Sequence, residues 1–111
     1  MKTVVVDGRA NRLAYALKGL SQLTERVSVT MFFVLFEIYK EEGKSNSDYA
    51  ERTGLTLAGV HRHIANLKAL DFLISEEKKV KGGGRAKFSM LTPKGRAFCE
   101  KTLEDFYGQV E

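Results

Sequence analysis

The sequence predicts a small α+β domain, mainly helical with one β-hairpin. Three observations carry that prediction. Apolar residues recur at helical spacing along most of the chain, two short runs near residues 72–75 and 87–91 have strand character instead, and a basic, glycine-rich stretch lies between those runs. With 111 residues and a hydrophobic content of 43 %, the chain is sized for one domain with a real core, which excludes a disordered or fibrous protein. A single domain over residues 1–111 is therefore expected. Its parts are an N-terminal arm and helix (1–27), a central core with the hairpin (28–92) and a C-terminal helix (93–111).

Val4 to Val6 fit a short strand or an ordered arm, and Asp7-Gly8 is a turn signal. From Arg9 to about Glu25, Ala10, Leu13, Ala14, Leu17, Leu20 and Leu23 make one face of an amphipathic helix. Ser28 or Thr30 can cap the next helix, which Gly43 stops. It is apolar almost all round (Met31, Phe32, Phe33, Val34, Leu35, Phe36, Ile38, Tyr39), so it is expected at the centre, with Phe32, Phe33 and Phe36 in the core. Ser45 and Asp48 have capping-box spacing and open a short helix from Asn46 to about Thr53. Gly54-Leu55-Thr56 then turns the chain into a helix capped by Thr56 and running to about Leu70, with Val60, Ile64, Leu67 and Leu70 on its buried stripe. Phe72 to Ser75 and Lys87 to Leu91 are the expected strands. In the second, Phe88 and Met90 share one face while Lys87 and Ser89 share the other. Thr92-Pro93 starts a last helix to about Tyr107, with Phe98, Thr102 and Phe106 on one side and Cys99, Leu103 and Val110 close by.

Ala50, Gly54 and Val60 stand where a helix-turn-helix needs them. A small residue lets two helices cross closely, a glycine supplies a positive φ at the turn, and a buried valine fills the angle between the helices. A basic hairpin follows at once, so the elements add up to a winged helix-turn-helix with flanking N- and C-terminal helices. Charge agrees with this. The formal net charge is +4, and residues 61–87 carry all of it, with seven basic side chains against three acidic ones, while the rest of the chain balances. A polyanionic partner, double-stranded DNA, is the physical reading of that concentration.

Groove geometry then selects the candidate contacts. An α-helix fits the major groove, where each base pair shows a distinct donor and acceptor pattern. Thr56, Leu57, Ala58, His61 and Arg62 occupy the leading half of the expected recognition helix. Arg62 suits a bidentate contact to guanine or a phosphate. Leu57 and Ala58 suit thymine methyls, and His61 and His63 suit donation to phosphates or bases. Asn66 is placed for the backbone. Lys79, Lys81, Arg85 and Lys87 are expected along phosphates or in the minor groove.

The stretch from Ser45 to Leu73 (SNSDYAERTGLTLAGVHRHIANLKALDFL), followed by RAKFSMLTPKGRAF, resembles the MarR family of winged-helix transcription regulators. The similarity spans about Val29 to Phe98. Its most characteristic feature is Arg85, six residues before the Leu91-Thr92-x-Lys94-Gly95 that opens the last helix. The resemblance implies that Arg85 enters the minor groove, that the terminal helices form a homodimer and that a small-molecule effector of unknown identity can act between the lobes. Two departures stand out. The family usually has an acid two residues before the wing arginine, where this chain has Gly83, and only one helix follows the hairpin.

Other chemistry finds little support. His61 and His63 diverge on a helix, and with one cysteine, Cys99, no metal site or disulfide is expected, which fits a reducing, cytoplasmic setting. The longest apolar run, Met31 to Phe36, is far below the ~20 residues of a membrane crossing. The glycines at 82–84 lack the Gly-Lys-Ser/Thr continuation of a phosphate loop. Neither a cofactor nor an enzymatic activity is expected. The favoured function is a dimeric transcriptional regulator, expected to act as a repressor. Its alternative is an accessory or architectural DNA binder of low sequence specificity, suited to replication, partition or phage and plasmid control, because Leu57-Ala58-Gly59 offers few hydrogen-bonding groups.

Overall fold

The structure is a computed structural model that describes residues 8–21 and 28–108. In chain order the elements are α1 (Gly8–Ser21), α2 (Val29–Lys40), α3 (Asn46–Thr53), α4 (Leu57–Ala69), β1 (Leu73–Lys79), β2 (Arg85–Leu91) and α5 (Pro93–Tyr107). Among the described residues this is five helices and a two-stranded hairpin, as the sequence predicts. The expectations for Val4–Val6, Leu23 and Val110 lie outside the described residues. Gly8 belongs to α1 rather than to a turn.

Two compact units share these elements, residues 28–98 in one and the described parts of 1–27 and 99–111 in the other. Within 28–98, α2 packs against α3, α4 and β2. Its buried residues are Met31, Phe32, Val34, Leu35 and Ile38. Tyr49, Val60, Ile64, Leu67, Phe72, Leu73 and Leu91 complete this core. Phe98 stacks on Phe72, ring centroids 4.7 Å apart, and more loosely on Phe32 at 6.0 Å. Phe33 corrects the expectation for α2: it is 44 % exposed, and Phe36 is only half-buried. Part of the helix's nearly all-apolar circumference is thus exposed among the described residues.

Caps set the helix boundaries. Ser28 accepts from the Met31 amide through its Oγ at 3.1 Å. Ser45 and Asp48 form the reciprocal capping box. Thr56 Oγ1 accepts from Gly59 N at 3.0 Å. Gly54 takes φ +73° at the end of α3, and its amide donates to Ala50 O at 2.9 Å, closing that helix before the turn. The sequence gives no sign of how α4 ends. Asp71, a non-glycine, adopts φ +62°, with Asp71 N donating to Lys68 O at 2.9 Å and Phe72 N to Leu67 O at 3.0 Å, a Schellman closure.

The hairpin is longer than the sequence suggests. Its antiparallel register runs from Leu73↔Leu91 to Lys79↔Arg85, so Lys78, Lys79 and Arg85 sit in strands and only residues 80–84 form the tip. Val80 N donates to Gly84 O at 2.8 Å there, with Gly82 and Gly83 at positive φ. Alternation holds, but the inward face is not the apolar one. Ser89 is fully buried beside Leu91, while Ile74 and Met90 are 57 % and 38 % exposed.

In the other unit, Arg12 Nη1 donates to the Tyr107 carbonyl at 2.8 Å. Ala16 and Cys99 are buried, but the apolar stripe of α1 is largely at the surface, with Leu13 and Leu17 exposed, as is Tyr15 beside it.

Candidate nucleic-acid interface

The segment before α3 joins the helices to the hairpin. Ser45 forms a β-bridge with Phe88, Gly43 N donates to Ser89 O at 2.8 Å and Ser89 N donates to Lys44 O at 3.3 Å. That pairing pins the start of α3 to the middle of β2. Further ties secure the same corner. Tyr49 Oη donates to Glu41 O at 2.7 Å and accepts from Lys44 N at 3.2 Å. Arg52 pairs with Glu41 and, with Lys44, holds that carboxyl below the usual carboxylate range. Glu42 Oε1 accepts from the Leu91 amide at 2.7 Å, and its other oxygen pairs with Arg96.

This pinning brings the recognition helix and the hairpin to one face. Ser45, Asn46, Ser47, Leu57, His61, Glu77, Arg85, Ala86 and Lys87 line a single open groove of about 280 Å³. Four of the sequence-predicted contacts meet in it: Leu57 and His61 from α4, Arg85 and Lys87 from β2. The other six (Thr56, Ala58, Arg62, Asn66, Lys79, Lys81) are exposed but do not line it. Five lining residues were missed by sequence reasoning: Ser45, Asn46, Ser47, Glu77 and Ala86. Glu77 lies across the strands from Lys87 and puts a carboxylate into an otherwise basic wall. Asn46 and Ser47 enter because α3 begins beside the wing. Only the capping motif hinted at that placement, and it says nothing about what lies opposite.

His63 corrects the sequence reading. It is 8 % exposed, so it is a buried residue of α4 rather than a contact, and its Nδ1 has no hydrogen-bond partner. Burial, aided by the Arg62 charge, lowers its pKa from 6.5. Above pH 6.5 the ring is neutral in both folded and unfolded chains. Below it the unfolded chain takes up a proton that the folded one resists, so stability falls until the pH passes beneath the folded value. Urea melts between pH 7.5 and pH 5 should show this decline, and His63→Leu should flatten it. An unchanged slope in the variant would remove His63 as the cause.

Among the described residues no cluster of three or more His, Cys, Asp or Glu could hold a metal ion, and no helix is long and apolar enough to cross a membrane.

A helix-turn-helix whose second helix shares a groove with a β-hairpin is a winged helix-turn-helix. The family model described as "Winged helix-turn-helix DNA-binding" matches residues 34–74, which run from α2 to the start of β1. Solved structures share the fold. RV1404 from Mycobacterium tuberculosis superposes with a TM-score of 0.69 at 15 % identity, covering 96 % of this chain and 77 % of that one. The multiple antibiotic-resistance repressor MarR from Listeria monocytogenes gives 0.63 at 17 %, covering 83 % and 59 %. The transcriptional repressor CouR, bound to a 23-mer DNA duplex, gives 0.66 at 16 %, covering 89 % and 67 %. The MarR resemblance of the motifs thus extends to the fold. The chain spans 65 % of the length of AbfR, another such neighbour, and 59 % of that MarR. No curated protein matches it.

Proposed function

We propose that this chain is a double-stranded DNA-binding transcriptional regulator, a cytoplasmic repressor acting as a homodimer. In this reading α4 enters the major groove while the basic hairpin follows the phosphates or the minor groove. The observation that carries it is the shared groove: Leu57 and His61 of α4 face the same space as Arg85 and Lys87 of β2. A duplex lying there would meet hydrogen-bonding groups and cationic side chains together. CouR, a repressor bound to DNA, supports the reading by likeness of fold. The homodimer is supported by the exposed apolar side chains of the terminal unit, Leu13 and Leu17 on α1 and Tyr107 on α5, which a second copy would cover. The two copies of α4 in such a dimer would reach successive major grooves about one turn, ~34 Å, apart.

Selection from random duplex DNA, with the mass of the free protein, tests this. Recovery of a palindromic motif by a dimer is the expected result. Binding governed by salt alone, with no motif, favours the architectural reading, and a monomer binding no duplex refutes both. Arg62 gives a finer check. Arg62→Ala should cost about 1–3 kcal/mol on the selected site and relax its sequence preference. An equal loss on every sequence would assign Arg62 to a phosphate.

A further inference from the structure

Asn46 is the first residue of α3, yet it is only 5 % exposed. Its Nδ2 lies 2.9 Å from Nδ1 of His61, fifteen residues further on and on the exposed side of α4. A carboxamide nitrogen can only donate, so Nδ1 accepts, and the ring hydrogen is on Nε2. That nitrogen has no hydrogen-bond partner among the described residues, and His61 lines the groove shared with Arg85 and Lys87. Asn46 Oδ1 is buried and unpartnered. Leaving such an oxygen unsatisfied is costly, so the site retains the amide at the expense of stability. Packing alone does not account for it, since an apolar residue of the same size would fill the space without that cost.

We propose that Asn46 is a positioning residue for DNA recognition. It selects the His61 tautomer that carries its hydrogen on Nε2 and fixes the ring angle, so that α4 presents an oriented N–H donor to the groove. The group it would meet is an acceptor on DNA, either a phosphate oxygen or the O6/N7 edge of guanine. Asn46 itself touches no DNA and acts through His61. The second nitrogen of an imidazole routinely sets what the first one does in this way. The proposal rests on the DNA-binding reading above. A donor held at a fixed angle restricts which acceptors it can meet, so Asn46 would contribute to sequence preference as well as to affinity.

Two measurements on the full chain test it. The first is the ¹⁵N spectrum of the His61 ring in the free protein. An unprotonated Nδ1 with a protonated Nε2 is expected, giving way to mixed tautomers in Asn46→Leu, and a wild-type ring protonated on Nδ1 overturns the proposal. The second is a double-mutant cycle on a selected duplex of about two turns, with melting curves confirming that each variant folds. His61→Ala and Asn46→Leu should each weaken binding by about tenfold, and the double variant should bind no worse than His61→Ala alone. Losses that multiply would show that Asn46 does not act through His61. If the wild type binds no duplex, the DNA reading fails and this role fails with it. If it binds with multiplying losses, only the role of Asn46 fails.

Discussion

Gly95→Ala should destabilise the protein by about 3 kcal/mol, a larger effect than expected of any other glycine-to-alanine change in a helix here. A Cβ at Gly95 would lie 2.1 Å from the Phe72 carbonyl oxygen, 2.9 Å from its carbon and 3.0 Å from Phe72 Cα. All three atoms are backbone, so no side-chain rotation relieves the clash. The close approach has a cause in the same few residues. Thr92 N donates to Phe72 O at 3.0 Å, Thr92 Oγ1 donates to Asp71 O at 2.6 Å, and Gly95 N donates to Thr92 Oγ1 at 2.9 Å. The first turn of α5 is thereby laid directly on the chain leaving α4. Urea melts measure the loss. Gly19→Ala in α1 is the control, since nothing lies within 4 Å of its Cβ and a gain of about 1 kcal/mol is expected from helix propensity. A loss at Gly95 no larger than a few tenths would mean the α4–β1 corner is freer to move than these contacts allow.

Replacing Lys79, Lys81, Arg85 and Lys87 together by alanine should have the largest effect on DNA. Each phosphate contact contributes about 0.9 to the slope of log K against log salt, so four contacts should lower that slope by about 3–4 units. Affinity near 0.1 M salt should fall by about three orders of magnitude. All four side chains are exposed, so the melting transition should hardly move. Fluorescence anisotropy across a salt series separates the outcomes. An unchanged slope would take the hairpin out of the interface altogether. Glu77, on the same wall as Arg85 and Lys87, should act in the opposite sense, and Glu77→Gln should tighten binding to any duplex.

Local chemistry explains why so much of the fold was legible. Ser28, the Ser45–Asp48 pair, Thr56 and Thr92-Pro93 each satisfy helix-end groups within a few residues of themselves, and Gly54 supplies a left-handed turn without help from afar. Such signals need no knowledge of partners. Where the sequence misled, burial depended on distant packing. The spacing of Phe33 matches that of its buried neighbours, yet it is exposed among the described residues. His63 reads as a second exposed histidine, but it shares the inward side of α4 with Val60, Ile64 and Leu67. In β2 the alternation gave two faces without saying which is inward, and the structure buries Ser89 while Met90 stays exposed. The hairpin is anchored at its base by the buried Leu73–Leu91 pair, and alternation then carries the Ser75–Ser89 pair inward with it.

The order of the elements, their caps and the position of the excess positive charge were set by residues close together in the chain, because hydrogen bonds at helix ends and side-chain periodicity act over a few residues. Which face of each element is covered, and the meeting of Asn46, His61, Glu77, Arg85 and Lys87 around one groove, came only with the tertiary structure. That meeting depends on the Ser45–Phe88 bridge, a pairing across more than forty residues, and local propensity carries no information about contacts of that range.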